Sequence, residues 1–402
     1  MLPEGWKNTS LMKLADKISD GIHTTPEYAD GTGLYFINGN NIKNGRISIG
    51  PSTKSVDESE FKKHKKDLTE KTLLISINGT IGNIAFYNGE PVILGKSAAY
   101  VNVKTEASKD YIYYFLTSDI TQKYFTNELT GSTIRNLSLA TIKQTPTPVP
   151  PLAEQRKIAE ILSTWDSAIA VVEKLIANAK AQKKALMQQL LTGQKRLPGF
   201  KGEWRRKQFA DAVLIDSDSL GQNTDPSHRF RYISLSDVQA GEISDSLEEL
   251  EFVTAPSRAR RKVKTNDILM ATVRPNLQAF AKVSSNFADC IASTGFAVLT
   301  AKPNFDADYL YHYLFSEDLT NQIDALVVGS SYPAINSSDL IGMTLHCPEF
   351  EEQTAIARVL SDLESLIMHY FKQAAALRQE KSALMQQLLT GKRRVKVEAI
   401  DQ

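Results

Sequence analysis

The feature of this sequence that most constrains its fold is a nine-residue string, ALMQQLLTG, which occurs twice. It occupies residues 185–193 and 383–391, so the second copy begins 198 positions after the first. At this fixed offset, 20 of the 40 residues in 154–193 are identical to their counterparts without a gap. Identity over this length does not arise by chance. We therefore interpret the chain as one structural unit used twice.

The repeated segment carries apolar residues in alternating steps of four and three, which is the spacing of a heptad seam. The first seam comprises Ile158, Leu162, Trp165, Ile169, Val172, Ile176, Ala179, Lys183, Leu186 and Leu190. The second comprises Ile356, Leu360, Leu363, Ile367, Tyr370, Ala374, Leu377, Lys381, Leu384 and Leu388, with its lysine in the same place. Each copy is predicted to be a long amphipathic helix, on the order of 58 Å if residues 153–191 are all helical.

A lone helix of this kind would leave its apolar stripe in water. The two copies are therefore expected to pack on each other as an antiparallel coiled coil, related by a pseudo-two-fold. An ordinary interdomain helix is the alternative, and it does not account for a duplicated seam. Gly193 and Gly391 are expected to end the helices.

Composition narrows the class of protein. The 402 residues suggest two to three domains, and 42% hydrophobic with 23% charged residues is typical of a soluble globular protein. No apolar run is long enough to span a membrane, and the first ten residues lack a signal-peptide pattern, so a cytoplasmic protein without membrane contact is predicted. Cys290 and Cys347 have no metal-ligand spacing and are expected to be free, buried thiols.

The segments that alternate with the helices mix strand-like and helical patterns, which predicts an α+β fold class. Strands are expected at 34–37, 73–77, 84–87 and 100–103, and a helix at 111–116. Pro146, Pro148, Pro150 and Pro151 indicate a linker before the first long helix. The second globular segment repeats landmarks of the first at offsets of 195 to 198, but shares little sequence between them. The predicted domains are 1–151, 152–196, 197–347 and 348–402.

The sequence carries no recognisable catalytic motif. GEPVILGKS at 89–97 has five residues between its glycines where a P-loop has four, so its amides would not converge on one phosphate. Its Lys96 is expected to lie at the surface or face DNA. Pro150-Pro151 follows Val149 and does not form the Asn/Asp-Pro-Pro-aromatic loop of amino-methyltransferases. The six histidines are scattered and suggest no zinc site. We predict a non-catalytic chain without a metal or cofactor of its own.

Two basic clusters occur at roughly corresponding places in the two halves. They comprise Lys62, Lys63, Lys65 and Lys66 in the first half, and Arg258, Arg260, Arg261, Lys262 and Lys264 in the second. Clusters of this kind neutralise phosphates and release counterions, which gives salt-dependent affinity for DNA. A solvated charged loop is the alternative for either cluster alone.

Three pairs of loops carry side chains suited to reading base edges. They are Asn78, Thr80 and Asn83 matched by Arg274, Asn276 and Gln278; Ser132, Thr133, Arg135 and Asn136 matched by Ser330, Ser331, Tyr332 and Asn336; and His23, Thr24 and Thr25 matched loosely by Ser227, His228 and Arg229. Arginine suits guanine, and asparagine or glutamine suits adenine, through two-point contacts. Ordinary turn chemistry is the alternative for each loop taken singly.

The order of these features resembles the specificity (S) subunit of type I restriction-modification enzymes over nearly the whole chain. The resemblance is carried by PLAEQRKIAEIL and ALMQQLLTG in the first helix, LPGF-GEW after it, PEFEEQTAIARVL in the second helix, and the GTIG and GSSYPAIN phrases. It implies that 1–151 and 197–347 are target recognition domains, each reading one half of a bipartite, asymmetric target in double-stranded DNA. The helical regions, 152–196 and 348–402, would set the spacer between the half-sites.

The resemblance also implies partners. Two modification subunits would dock on the helices, bind S-adenosylmethionine and methylate adenine, and restriction subunits would join with ATP and Mg²⁺. Because the methylated adenine must leave the stack, the reader must tolerate or assist base flipping. One departure is that Ile134 and Arg135 stand where the second half has Pro333 and Ala334, so the two loops need not contact DNA alike.

Other functions stay open on the sequence alone. The same architecture could serve another methyltransferase-nuclease, or an orphan subunit that captures a foreign modification partner. A coiled-coil adaptor whose globular ends bind proteins is a rival from a different class. A self-sufficient enzyme is opposed by the missing cofactor motifs.

Overall fold

The chain folds as two units, and each unit includes part of both repeated helical segments. The computed structural model describes residues 2–130, 135–239, 241–326 and 333–397. The first unit comprises residues 1–173 and 373–402, and the second comprises residues 174–372.

The first unit contains ten strands and four short helices within its described residues, followed by the start of a long helix. The strands are β1 (Lys7–Ser10), β2 (Ala15–Asp20), β3 (Tyr35–Ile37), β4 (Ile42–Lys43), β5 (Arg46–Ile47), β6 (Thr72–Ser76), β7 (Ile84–Phe86), β8 (Val92–Leu94), β9 (Ala98–Val103) and β10 (Pro146–Val149). The helices are α1 (Glu58–His64), α2 (Lys109–Thr117), α3 (Asp119–Asn127), α4 (Leu139–Gln144) and the long α5 (Leu152–Leu190).

The central sheet of the first unit is antiparallel, with its strands in the order β2-β9-β6-β7. Strand β6 has both faces buried. Leu73 and Ile75 pack in the cluster that holds Tyr111 of α2 and Ile158 of α5, whereas Leu74 packs in a second cluster on the other face. Successive side chains of a strand point to opposite faces, so a strand covered on both sides reads as a continuous apolar run. A parallel pair, β3-β8, and two antiparallel pairs, β1-β10 and β4-β5, complete the unit.

The predicted strands and the predicted helix of the first half are confirmed as β3, β6, β7, β9 and α2. The prediction of a linker at the prolines is wrong for Pro146 and Pro148, which lie in β10. This strand pairs only with β1 among the described strands. A proline lacks the N–H that a central strand must donate, but an edge strand tolerates it.

The second unit contains twelve strands and three short helices within its described residues, followed by a second long helix. The strands are β11 (Arg205–Gln208), β12 (Val213–Ile215), β13 (Arg229–Ile233), β14 (Val238–Gln239), β15 (Glu242–Ile243), β16 (Glu248–Glu251), β17 (Ala259–Lys262), β18 (Ile268–Ala271), β19 (Phe280–Lys282), β20 (Ile291–Ser293), β21 (Phe296–Ala301) and β22 (Thr344–Cys347). The helices are α6 (Phe209–Ala212), α7 (Ala307–Tyr313), α8 (Glu317–Leu326) and the long α9 (Phe350–Leu388).

The second unit repeats the architecture of the first. Its central sheet has the order β12-β21-β18-β19, which matches β2-β9-β6-β7 strand for strand. The parallel pair β13-β20 matches β3-β8, but β16 and β17 extend it to a four-stranded sheet. The units therefore share the sheet under the candidate loops and differ in the smaller sheet beside it. Cys290 and Cys347 are free and buried, as predicted.

The long helices confirm the predicted seam, because every seam position is buried or partly buried. In the first unit, Asp166 of α5 pairs with Lys381 of α9 at 2.5 Å. Glu173, further along α5, pairs with Arg378, which is earlier in α9. The two helical segments of this unit therefore run antiparallel. The lysine that interrupts the second seam is explained, because it meets a carboxylate on the other helix.

The second unit contains the equivalent contacts. Lys183 of α5 pairs with Glu364 of α9 at 2.9 Å, and the Lys180 ammonium lies 4.7 Å from the centre of the Phe371 ring. These segments are antiparallel as well. The lysine in the first seam thus has the same partner type as the lysine in the second.

The repeated Glu-Gln at the helix starts has a structural role. The Gln155 side chain donates to Pro150 O at 2.9 Å and accepts from Ser108 N at 2.9 Å. Gln353 donates to Pro348 O at 2.9 Å and accepts from the Asp306 amide at 3.1 Å. Each glutamine thereby attaches the start of its helix to the globular part of its own unit.

Candidate nucleic-acid interface

The candidate loops of the first unit gather at one edge of its central sheet. Strand pairing aligns Ser76 with Ala98, and Asp20 with Ala99, so the end of β6 lies beside the start of β9 and the end of β2. The loops at 21–25, 77–83 and 95–97 therefore leave the sheet at the same edge. Three predicted features, the His23 loop, the Asn78 loop and Lys96, are brought together there.

Two loops far apart in sequence meet at this edge. Asn78 forms a β-bridge with Asn136, and the Leu137 amide donates to Ile77 O at 2.9 Å. The Asn78 loop and the segment at Asn136 thus lie side by side in the part of the chain that the structure describes, a pairing that the sequence did not predict. Ser132 and Thr133 lie outside the described residues.

The second unit joins the equivalent loops in the same way. Val273 bridges to Ala334, and the Arg274 amide donates to Pro333 O at 2.7 Å. The Ile335 amide donates to Thr272 O at 3.0 Å. Asn336 follows in an exposed position, while Ser330, Ser331 and Tyr332 lie outside the described residues.

Several polar side chains at the edge of the first unit support the loops themselves. Thr80 Oγ1 donates to Gly39 O at 3.0 Å, and Asn83 Nδ2 donates to Ile42 O at 3.1 Å. His23 pairs with Asp20 at 2.9 Å and is exposed. Thr24, Thr25 and Arg135 are exposed as well, whereas Asn78 and Asn136 are partly buried.

The Arg274 loop has an unusual backbone. Arg274 and Gln278 both have φ of 50°, and a 3-10 turn, Pro275–Leu277, lies between them. A non-glycine residue in this left-handed region costs roughly 1–2 kcal/mol, and such strain collects at functional sites. The matching loop of the first unit places Gly79 and Gly82 at φ of 72° and 85°.

Glycine would adopt this conformation without strain. The second unit instead has Arg274 and Gln278 in this conformation, two side chains of the types that can read guanine and adenine. Arg274 and Asn276 are exposed, and Gln278 is partly exposed. The assignment of these three residues to a DNA interface stays a prediction.

The lysine cluster of the first unit lies on α1 and just beyond it. Lys62 pairs with Glu58 at 2.7 Å and Lys63 with Glu60 at 2.9 Å, all within the helix. The side-chain hydrogen bond from each lysine is the largest cause that lowers the pKa of both glutamates. Lys65 and Lys66 follow the helix and pair with no carboxylate among the described residues. The cluster thus carries net positive charge at its C-terminal end.

Three of the five cations in the arginine-rich cluster of the second unit lie in strand β17. Arg261 pairs with Asp216 at 2.7 Å, and Lys262 pairs with Asp218 at 3.2 Å. The Arg260 guanidinium lies 4.7 Å from the centre of the Phe252 ring. These three cations therefore stabilise β17 and its neighbours, which the spacing of basic residues did not predict.

Arg258 and Lys264, at the ends of the cluster, are exposed. Arg258 O accepts from the Thr294 amide at 2.8 Å, and Thr272 donates to the adjacent Gly295 O. Arg258 thus lies at the same sheet edge as the Arg274 loop. Arg229 does not lie at this edge. It is at the start of β13, four residues before the strand ends at Ile233, and its side chain is 3.6 Å from Glu249 on β16.

The structure adds a groove that sequence patterns did not indicate. It encloses about 140 Å³ in the first unit and is lined by Tyr28, Phe36, Asn38, Asn40, Asn41, Ser52, Thr53 and Lys54. Lys54 lies 5.7 Å above the Tyr28 ring. The groove adjoins Gly39, to which Thr80 is hydrogen-bonded, and so extends the candidate edge. Its residues come from three separate segments of the chain, and no local sequence pattern links these segments.

A metal site and a phosphate-binding loop are not formed by the described residues. Within 2–130, 135–239, 241–326 and 333–397, no three His, Cys, Asp or Glu side chains group as a metal site would require. The helices found in these ranges are not long and apolar enough to cross a membrane. GEPVILGKS contains β8 and the turn that leads into β9, so no helix N-terminus follows it to hold a phosphate.

The duplicated α+β fold and its paired polar loops are those of a two-domain protein that recognises DNA sequence. A family model described as type I restriction modification DNA specificity domain matches residues 3–181 and 258–375. These matches cover more than half of the chain, and the chain belongs to this family. The predicted resemblance, fold class and specificity function are confirmed, and the adaptor alternative is not favoured.

Individual relatives agree with this assignment. The MjaVIII specificity subunit of Methanocaldococcus jannaschii is 25% identical over 350 residues, covering 82% of each chain. The putative MjaX specificity subunit of the same organism is 26% identical and covers 98% of this chain and 95% of its own. The S subunit from M. genitalium has the same fold, with a TM-score of 0.59, 16% identity and 96% of each chain covered. A chain from a solved structure of a type I restriction-modification (R-M) system has a TM-score of 0.59 and 17% identity, and the match covers 97% of this chain and 99% of that chain.

Proposed function

We propose that this chain is the non-catalytic DNA-reading subunit of a type I restriction-modification complex. Each unit reads one half of a bipartite, asymmetric target. The observation that carries this proposal is the meeting of two sequence-distant loops at the same sheet edge in both units. The units share this framework but present different side chains, with Asn78 in one and Arg274 in the other, as expected for two different half-sites.

The long helices set the spacer and bind two modification subunits in this proposal. Leu175, Leu366 and Phe371 on the helices of the second unit are 38%, 39% and 41% exposed, and in this proposal a modification subunit covers them. The recognition domains are 1–151 and 197–347, and the repeated helical regions are 152–196 and 348–402. Restriction subunits join the same complex, which acts in the cytoplasm.

The cofactors belong to the partners. S-adenosylmethionine binds the modification subunits, and ATP with Mg²⁺ serves the restriction subunits. This chain contributes no group to the chemistry, and its role is to position DNA so that the target adenine can be flipped.

The test is methylation sequencing of a methylation-free host. One culture expresses this chain with its modification subunit, and two cultures express either protein alone. A split adenine motif that occurs only in the paired culture is expected. Methylation by this chain alone, or no motif from an assembled complex, would contradict the proposal.

A further inference from the structure

Leu277 is an apolar side chain held in water at the tip of the Arg274 loop. It is 66% exposed. Single exposed apolar residues are ordinary on protein surfaces, and exposure alone indicates nothing. Its position, its rigid support and its contrast with the first unit distinguish Leu277.

The turn that carries Leu277 is held in place by backbone hydrogen bonds. The Leu277 amide donates to Arg274 O at 2.9 Å, and the Gln278 amide donates to Pro275 O at 2.9 Å. Pro275 is buried and fixes the backbone. The Arg274 amide, in turn, is tied to Pro333 O. The leucine is therefore presented without the entropy cost of ordering a flexible loop.

The matching loop of the first unit partly buries its aliphatic residue, Ile81. Ile81 lies between Gly79 and Gly82, is partly buried, and packs against the hydrophobic core of its unit. The loop in the second unit, 272–279, is one residue longer than the loop at 77–83. One loop thus buries its aliphatic side chain in its own unit, and the other exposes it.

We propose that Leu277 is a wedge that enters the base stack of the second half-site and separates two neighbouring base pairs. This inference rests on the proposed DNA-reading function. Leucine is one of the residues that proteins insert between base steps, where the cost of unstacking is offset by burial and by added contacts. The neighbours of Leu277 in the turn, Arg274, Asn276 and Gln278, suit a polar DNA groove better than an apolar protein surface.

The test uses the complex of this chain with its modification subunit. Duplexes carry 2-aminopurine, in turn, at each position of the second half-site other than the methylated adenine. Fluorescence is expected to rise on binding at the step that Leu277 enters. Leu277→Ala is expected to remove the rise and weaken binding by about 10-fold to 100-fold, the range for burying one leucine. Leu277→Met is expected to keep the rise.

Leu214→Ala is the matched control, because Leu214 is also an exposed leucine, at 47%, and lies in β12 rather than in a recognition loop. It should change neither signal. No fluorescence rise in the unmodified complex, or a rise that Leu277→Ala leaves intact, would overturn the wedge while the methylated motif still supported the proposed function. If replacing thymine by uracil in the half-site reproduced the whole effect, Leu277 would be a methyl contact and the wedge would be wrong. A complex that bound no DNA would overturn the proposed function itself.

Discussion

Arg196 donates two hydrogen bonds to the carboxylate of Glu352, from Nε to Oε1 at 2.6 Å and from Nη2 to Oε2 at 2.5 Å. The Glu352 side chain is only 4% exposed. The first unit repeats this bidentate pair with Arg394 and Glu154. Because a buried carboxylate is stable as a charge only when it is paired and hydrogen-bonded, the pair accounts for the duplication of these residues at an offset of 198.

Arg196→Met is expected to lower the free energy of unfolding of the second unit by about 3 kcal/mol, since it leaves Glu352 buried without its cation. This value is the low end of the range for breaking a buried ion pair, because Trp204 Nε1 still donates to the carboxylate. Hydrogen exchange read by mass spectrometry measures the protection of backbone amides in each unit separately. Arg394→Met should weaken protection in the first unit instead, and equal loss of protection in both units for either variant would contradict the local role.

His312 predicts a pH dependence of stability. Burial, with smaller effects from Lys183 and Lys282, lowers its pKa to about 3. In the unfolded chain it takes up a proton below about pH 6.5, whereas the folded imidazole stays neutral. The unfolded state then binds more protons, so stability is complete above about pH 6.5 and falls towards pH 3, by up to about 1.4 kcal/mol per pH unit.

Denaturant unfolding between pH 4 and 7 measures this slope. His312→Gln should flatten it, since glutamine can keep the hydrogen bond to Ser361, which lies 3.0 Å from the imidazole Nε2, without titrating. The first unit has Tyr114 at the equivalent position, hydrogen-bonded to Asp166 at 2.8 Å. A slope unchanged in the glutamine variant would assign the pH dependence to other groups.

Arg274→Ala is expected to relax the second half-site at one base pair, costing about 1–3 kcal/mol of discrimination there. Methylation sequencing gives both half-sites in one experiment. Arg135→Ala is the control, because this exposed arginine lies in the first unit and should alter only the first half-site. An unchanged motif in the Arg274 variant would remove that residue from the interface.

Gln278→Gly is expected to stabilise the second unit by about 1 kcal/mol, because glycine adopts φ of 50° without strain. It should also weaken DNA binding at the second half-site. Gly82→Gln should destabilise the first unit, since φ is 85° there and an added Cβ would collide with Gln122 Oε1. Thermal unfolding checks both signs, and a destabilised Gln278→Gly variant would mean that the conformation carries no strain.

Lys65 and Lys66, both changed to serine, are expected to weaken binding to every DNA sequence. The slope of log affinity against log salt should become shallower by about one for each phosphate that a lysine no longer neutralises. Lys262→Ser is the comparison, since its ammonium already pairs with Asp218 and should matter less. A change of motif without a change in salt slope would mean that the two lysines read bases instead.

The sequence alone determined the long helices and their seams, because heptad periodicity is a local property that survives in any environment able to bury the stripe. It also determined which loops correspond in the two units, since the repeat aligns them. The tertiary structure decided how the residues of those loops and clusters are arranged and which of them are paired. Asp216 neutralises Arg261 because the segment after β12 lies beside β17, although 45 positions separate the two residues. Arg274 and Gln278 adopt left-handed backbone conformations, and Leu277 is exposed, because loop closure between two fixed strands sets the torsion angles. Such partnerships depend on which strands become neighbours, and no local pattern records that choice.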